Sequence, residues 1–203
     1  MIELAPFSPE HRSAFLDLEY AASAAYNSFV YRDRGQADGV RTLLFDADRA
    51  EFGPSRSSIL LEDGALAGMV SCLAAQDLSK CRMRCAYALA KSHFFDDDPG
   101  LADRIALAGK ALARPAPADF YLSRIAVAPG SAGSGAAARL LEHCEAQAAR
   151  AGATRILLEV ASCNARAIAF YRRSGFEAAE EASVSSDDGT LALTYTHMVK
   201  RLD

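Results

Sequence analysis

A glycine-rich loop, one glutamate and one tyrosine are where this sequence could do chemistry. Gly133, Ser134 and Gly135 stand where the apolar extended run DFYLSRIAVAP (Asp119 to Pro129) gives way to a helical pattern. The first N–H groups of a helix have no partner inside it, point outward and sit at the positive end of the helix dipole. Glycines bring such amides close to a ligand with no Cβ in the way. The loop could therefore cradle a pyrophosphate, or act only as a turn between two elements. Glu159 is the single charge in ILLEV (Ile156 to Val160), where it shares a face with Leu157. A carboxylate there could accept a proton through water, orient a ligand, or pair with a buried arginine such as Arg124. Tyr171, beside Phe170, reads as a core aromatic or as a phenol that stays protonated at neutral pH, its ordinary pKa being ~10. Asn164 is placed to cap a helix.

The elements that must position these residues are legible around them. After the loop, Leu140, Leu141, Cys144 and Ala148 recur at helical spacing, with Arg139, Glu142, Glu145 and Arg150 on the other face and Gly152 placed to end the helix. ILLEV is a buried strand, and a second helix runs from Asn164 to the SGF that ends at Phe176. At the start, Met1 to Phe7 suggests a strand. Ser8-Pro9-Glu10 predicts a helix capped by Ser8, running to about Asn27. Gly35 and Gly39 are expected to loosen the chain before a helix over Val40 to Phe52, which Gly53-Pro54 breaks. Ser57 to Leu61 and Ala65 to Ala74 form a hairpin around Glu62-Asp63-Gly64. Two closing antiparallel strands fit the segment after Phe176, with Leu191, Leu193, Tyr195 and His197 on one face of the last. His197 there is read as structural.

Composition narrows the function classes. The chain has 203 residues, enough for one domain with an insertion, and about half of them are hydrophobic. A formal net charge of −4 gives no broad basic surface, so no nucleic acid is expected as a partner. No apolar run approaches membrane-spanning length and no signal peptide is visible, so a cytoplasmic protein with no membrane partner is expected. Cys72, Cys81, Cys85, Cys144 and Cys163 lack the spacing of a metal or redox motif and read as buried free thiols, with no metal expected.

VAPGSAGSGAA (Val127 to Ala137) resembles the acetyl-CoA loop of the GNAT superfamily of acyl-CoA N-acyltransferases, Val-x-Pro followed by Arg/Gln-x-x-Gly-x-Gly/Ala. The second half falls on Ala132, Gly133, Ser134, Gly135, Ala136 and Ala137. NARAIAFYRRSGF (Asn164 to Phe176) is similar to that family's Asn-x-x-Ala-x-x-Phe-Tyr-x-x-x-Gly-Phe signature. One departure is Ala132, where the family usually carries Arg or Gln to help hold the pyrophosphate. The backbone amides are untouched by that loss.

The resemblance implies an α/β (α+β) fold. Its central sheet is mixed, mostly antiparallel and flanked by helices, and it splays between the fourth and fifth strands. The expected organisation is a single acetyltransferase domain over 1–203, with a helical insertion over 76–118 before the fourth strand. The resemblance also implies acetyl-CoA as co-substrate and N-acetylation of a primary amine, small-molecule or peptide, by direct attack in a ternary complex. Tyr171 is then the general acid, and Glu159 is a candidate base. Asn164 lies near the pantetheine, and backbone amides of Ile125, Ala126 and Val127 hold the pantetheine arm and carbonyl oxygen. Within the insertion, helices are expected over Lys80 to Phe94 and from Pro99, the latter capped by Asp98 and ended by Pro115 and Pro117. The insertion could wall the acceptor pocket, make a homodimer contact or cover a sheet face. Asp96, Asp97 and Asp98 could attract a cationic amine or form a solvated loop and cap. Two other readings stand beside this one. The first is a non-catalytic acyl-CoA binding or sensing domain, which Ala132 favours. The second is a dinucleotide-binding oxidoreductase using Gly-x-Gly-x-x-Ala over Gly133 to Ala138 with Glu159 as the ribose acid.

Overall fold

The computed structural model describes residues 2–48 and 50–202. Met1, expected in the first strand, and Arg49, expected in the second helix, lie outside the described residues, as does Asp203. Seven strands among them form one sheet in the order β1-β2-β3-β4-β5-β7-β6. The strands are β1 (Ile2–Pro6), β2 (Ser57–Glu62), β3 (Ala65–Ala74), β4 (Asp119–Val127), β5 (Arg155–Ala161), β6 (Glu177–Ser185) and β7 (Ala192–Arg201). The helices are α1 (Arg12–Ala22), α2 (Ala24–Val30), α3 (Arg34–Asp46), α4 (Ala75–Ala90), α5 (Phe94–Asp97), α6 (Leu101–Ala108), α7 (Ala136–Arg150) and α8 (Ala165–Arg173). Among these strand pairs, β4 and β5 are the parallel one, and every other neighbour runs antiparallel. A dinucleotide-binding sheet is built from several parallel βα units, so that reading is corrected here.

The β4–β5 pairing is short. It covers Asp119–Tyr121 against Arg155–Leu157 and then stops, while β5 stays paired with β7 along its whole length. The cause is local to β4. Ser71 pairs with Arg124 and Cys72 with Leu122, which leaves Ser123 as an extra residue. Such a bulge bends the strand and raises its twist, turning the second half of β4 away from β5. A wedge therefore opens between the two strands from Leu122 onward.

Each face of the sheet has its own core. On one, α7 sets Leu140, Leu141, Cys144 and Ala148 against Val70, Cys72, Leu122, Ile156 and Leu158. A fully buried leucine of this kind stabilises the fold by about 1.5–3 kcal/mol. Gly152, at φ +68°, lets the chain leave α7 in a left-handed turn in which the Ala153 N–H returns to the Ala148 carbonyl at 3.0 Å. On the other face, α1 to α6 cover Ile59, Met69, Leu73, Tyr121 and Leu157. In the hairpin between β2 and β3, Asp63 (φ +50°) and Gly64 (φ +82°) form the tight turn that Asp-Gly predicts.

The first quarter of the chain departs from the expected helices. Pro9–His11 is a single 3-10 turn, and the Ser8 hydroxyl donates to Glu10 Oε1 at 3.0 Å instead of capping. The following helix breaks at Ser23, where the Asn27 side-chain amide donates to the Tyr20 carbonyl at 3.0 Å. Gly35 and Gly39 lie inside α3, not before it. That helix starts at the Asp33 cap, whose Oδ1 accepts from the Gln36 N–H at 2.8 Å. At Gly39 a Cβ would come within 2.9 Å of the tip of the Phe94 ring, so a side chain there would have to displace that ring. In the insertion, α4 starts five residues earlier than Lys80 and ends four before Phe94. Asp98 does not cap α6. Its carboxylate is buried and takes hydrogen bonds from Arg104 and from Gln36 Nε2 (2.9 Å), with Arg32 Nε at 3.1 Å. Burial opposes that charge, but these donors hold Asp98 below the usual carboxylate range. α6 also ends at Ala108, well before Pro115.

Candidate active site

The loop that follows β4 turns once through a 3-10 turn at Pro129–Ser131 and enters α7 through two left-handed glycines, Gly133 (φ +84°) and Gly135 (φ +86°). An L-residue in that conformation costs roughly 1–2 kcal/mol. A Cβ built on either glycine meets nothing within 4 Å, so this side of the loop is open. Ser134 braces the turn: its hydroxyl donates to the Ser131 carbonyl (2.8 Å) and accepts from the Ala136 N–H (3.3 Å). Among the described residues no carbonyl accepts from the N–H of Gly133 or Gly135, and that of Ala137, at the start of α7, has no intrahelical partner. These amides stand at the positive end of the dipole of a 15-residue helix, an arrangement that favours negative charge. Ala132 is exposed, with its methyl contributing no polar atom.

Within the wedge the two edges of β4 differ. The Ala128 N–H donates to the Ala67 carbonyl of β3 at 2.8 Å. Antiparallel strands alternate, so Ala126 also turns its amide to β3, while Ile125 and Val127 turn theirs toward the wedge. Three amides were expected to serve there. Two face it, and that of Ala126 belongs to the sheet.

Tyr171 lies in α8 with its ring buried between Phe170 (centroids 5.3 Å) and Phe176 (5.5 Å). Burial, with Cys144 and Glu159 nearby, raises its pKa above that of a free phenol. Among the described residues no protein group bonds its hydroxyl. Asn164 caps α8: its Oδ1 accepts from the Ala167 N–H at 3.0 Å, and its side chain is exposed at the end of β5.

Glu159 sits where the wedge begins, on the α1–α6 side. Its Oε1 accepts from the Tyr121 hydroxyl, and its Oε2 is buried without a partner among the described residues. Burial raises the Glu159 pKa, while the Tyr121 hydrogen bond and the nearby Arg124 and Arg82 oppose that rise. Of the alternatives open for Glu159, pairing with Arg124 is not what forms. Arg124 instead donates to Glu19 Oε1 at 3.1 Å, and Arg41 Nε donates to Glu19 Oε2 at 2.5 Å. The Ser23 hydroxyl completes that carboxylate at 2.9 Å. Burial works against the Arg124 charge, but Glu19 and Glu51 override it and its pKa rises. Tyr26 from α2 and Tyr195 from β7 stand in the same field. Burial, opposed by Arg124 and aided by Glu159 and Cys163, pushes Tyr195 up to about 12. His197 is structural, its Nε2 2.9 Å from the Ala111 carbonyl. Cys72, Cys81 and Cys144 are buried, whereas Cys163 is exposed.

Sequence reasoning missed Tyr121, Arg82, Glu51, Glu19 and Arg41. Two of them carried a signal. Glu19 falls on the apolar face of its helix with Phe15 and Leu18, and Arg82 falls in the stripe Leu78, Cys81, Cys85, Leu89. A charge inside an apolar stripe must find partners on folding.

No helix of the described residues is long and apolar enough to cross a membrane. No curated protein sequence matches the chain. Among solved structures, an N-acetyltransferase from Staphylococcus aureus Mu50 aligns at TM-score 0.69 and 14% identity over 97% of this chain and 99% of its own. Another acetyltransferase aligns at 0.66 and 20% over the whole of both chains. The PaiA N-acetyltransferase of Thermoplasma acidophilum, in complex with coenzyme A, aligns at 0.57 and 13% over 100% of this chain and 99% of its own. At these identities the likeness is one of fold. The acetyltransferase (GNAT) family model matches residues 19–176, a span that runs from Glu19 through the glycine loop to Phe176. The chain belongs to the acetyltransferase (GNAT) family.

Proposed function

We propose that the protein is an acetyl-CoA-dependent N-acetyltransferase that moves an acetyl group to a primary amine by direct attack in a ternary complex. One observation carries this: β4 and β5 stop pairing after Tyr121 and Leu157, and the chain leaving β4 enters α7 through an open glycine loop whose Gly133 and Gly135 amides have no carbonyl acceptor among the described residues. Family membership and the coenzyme A held by PaiA of Thermoplasma acidophilum support it.

The residues fit the group. Amides of Gly133, Gly135 and Ala137 would hold the pyrophosphate, with the open glycine faces admitting it. Those of Ile125 and Val127 would line the pantetheine and polarise the carbonyl oxygen. Bound acetyl-CoA supplies the activated acetyl group as a thioester. The Tyr171 phenol gives its proton to the departing thiolate, and burial keeps that proton in place at neutral pH. Glu159 Oε2 takes a proton from the attacking amine, directly or through water, while Tyr121 holds the other oxygen. Asn164 fixes the start of α8 and so the placement of Tyr171.

A second reading, a non-catalytic acyl-CoA binding domain, draws on the apolar Ala132. Amine-dependent release of free thiol from acetyl-CoA separates the two. The transferase releases one thiol per amine acetylated; a binding domain releases none.

A further inference from the structure

A second set of unpartnered buried atoms stands near the Tyr121 ring. Arg82, from α4 of the insertion, has its Nε and Nη2 buried without hydrogen-bond partners among the described residues. Its Nη1 reaches the Ala113 carbonyl at 3.5 Å, and its guanidinium carbon lies 5.9 Å from the Tyr121 ring centre. Glu51 Oε2 approaches Nε at 3.7 Å, near enough to neutralise charge and too far for a hydrogen bond. Buried guanidinium N–H groups are rarely left unbonded, because each one costs its lost hydration.

The edge in question is specific. Nε–H and Nη2–H point the same way and form the side-on fork that matches the two oxygens of a carboxylate. Among the described residues that edge is used in this way twice elsewhere. Arg12 holds Asp46 through Nε (2.8 Å) and Nη2 (2.7 Å), and Arg155 holds Asp119 through Nε (2.5 Å) and Nη2 (3.1 Å). Among the described residues no carboxylate stands in register with the same fork at Arg82. Glu159 Oε2, an unpartnered acceptor, is part of the same cluster around Tyr121. One ligand that satisfies both carries an amine for Glu159 and a carboxylate for Arg82.

Resting on the transferase reading above, we propose that the acceptor is an amine bearing its own carboxylate, of the α-amino acid type, and that Arg82 is the residue that reads the carboxylate. This gives the insertion a role: α4 supplies the specificity determinant to a site whose chemistry lies on β4, β5 and α8. Arg124, nearby on β4, already donates through Nε to Glu19 and through Nη1 to the Ser123 carbonyl.

The test uses the intact chain, acetyl-CoA and matched acceptors: phenylalanine beside phenethylamine, lysine beside cadaverine, alanine beside ethylamine. The wild type is expected to favour the carboxylated member by about tenfold or more in kcat/KM, the order expected for a charge-assisted bidentate contact. Arg82→Gln should collapse that ratio toward one through KM, leaving the decarboxylated member within about threefold of its wild-type value. Arg82→Lys, which keeps the charge and loses the fork, should also lose most of the ratio. A wild-type ratio at or below one overturns the proposal without any variant. So does an Arg82→Gln variant that weakens both members equally, since the fork would then serve packing or a buried water. If no amine releases thiol, the transferase reading has failed, and ligand protection against melting in the presence of CoA decides the proposal by itself. Stabilisation by the carboxylated member alone supports it; equal or no stabilisation overturns it.

Discussion

Tyr171→Phe separates chemistry from architecture at one atom. The ring is buried against Phe170 and Phe176, and phenylalanine keeps both contacts. Among the described residues nothing in the protein bonds the hydroxyl, so its removal leaves no orphaned partner. A buried hydroxyl in a protein hydrogen bond contributes about 1 kcal/mol. Here the expected change in unfolding free energy is within about 0.5 kcal/mol, read from the urea midpoint. A positioned general acid accelerates its step by about 10²–10⁴-fold. At 1.36 kcal/mol per decade that is about 3–5 kcal/mol on the barrier. Free-thiol release at saturating amine should fall by that factor, while calorimetric affinity for CoA stays within about twofold. A kcat within about threefold of wild type, with CoA affinity unchanged, would refute the role, because the thiolate would then be leaving without this proton. A loss of stability well above 1 kcal/mol would refute the packing argument instead.

Two further outcomes follow from the same geometry. Glu159 has a folded pKa raised by burial, so its protonated form suits the fold. The stability it contributes is whole below the unfolded glutamate value of ~4.3 and is lost as pH rises through the folded value. Glu159→Gln should flatten that part of the dependence of urea midpoint on pH and cut amine-dependent turnover at least about tenfold; a variant that tracks wild type in both would remove Glu159 from the account. Gly135→Ala places a side chain at φ +86° and should cost roughly 1–2 kcal/mol of stability while weakening acetyl-CoA binding, both measurable on one preparation. Unchanged binding would mean that the loop is only a turn.

Much of the scaffold was written in the sequence as period and punctuation. The two hairpin strands, the apolar stripe of α7 and the Asn164 cap carry their own local signals, and each fell within a residue or two of its expected bounds. The opening helices did not, because their bounds are tertiary. Ser23 ends α1 while its side chain serves Glu19, and Gly39 is tolerated mid-helix because Phe94 lies against it. The wedge was implied by family resemblance, yet its local cause, the extra residue at Ser123, depends on register with β3, which no single strand states. The same holds for the polar cluster. Arg124 was a candidate partner for Glu159, but Glu19, more than a hundred residues away in sequence, takes it. Tyr121 takes its place at Glu159, and nothing in an apolar strand marks one tyrosine as a hydrogen-bond donor to the next strand. Local chemistry was legible; pairing between distant charges was not.

We propose that the amides of Gly133, Gly135 and Ala137 hold acetyl-CoA without an arginine or glutamine at position 132. Calorimetric titration of the intact protein with acetyl-CoA, with NADH as the control, tests it most directly. Acetyl-CoA is expected to bind with Kd on the order of micromolar, about −8 kcal/mol, and NADH to give no heat. Absence of acetyl-CoA binding, restored by Ala132→Arg, would contradict it by showing that the backbone alone does not suffice.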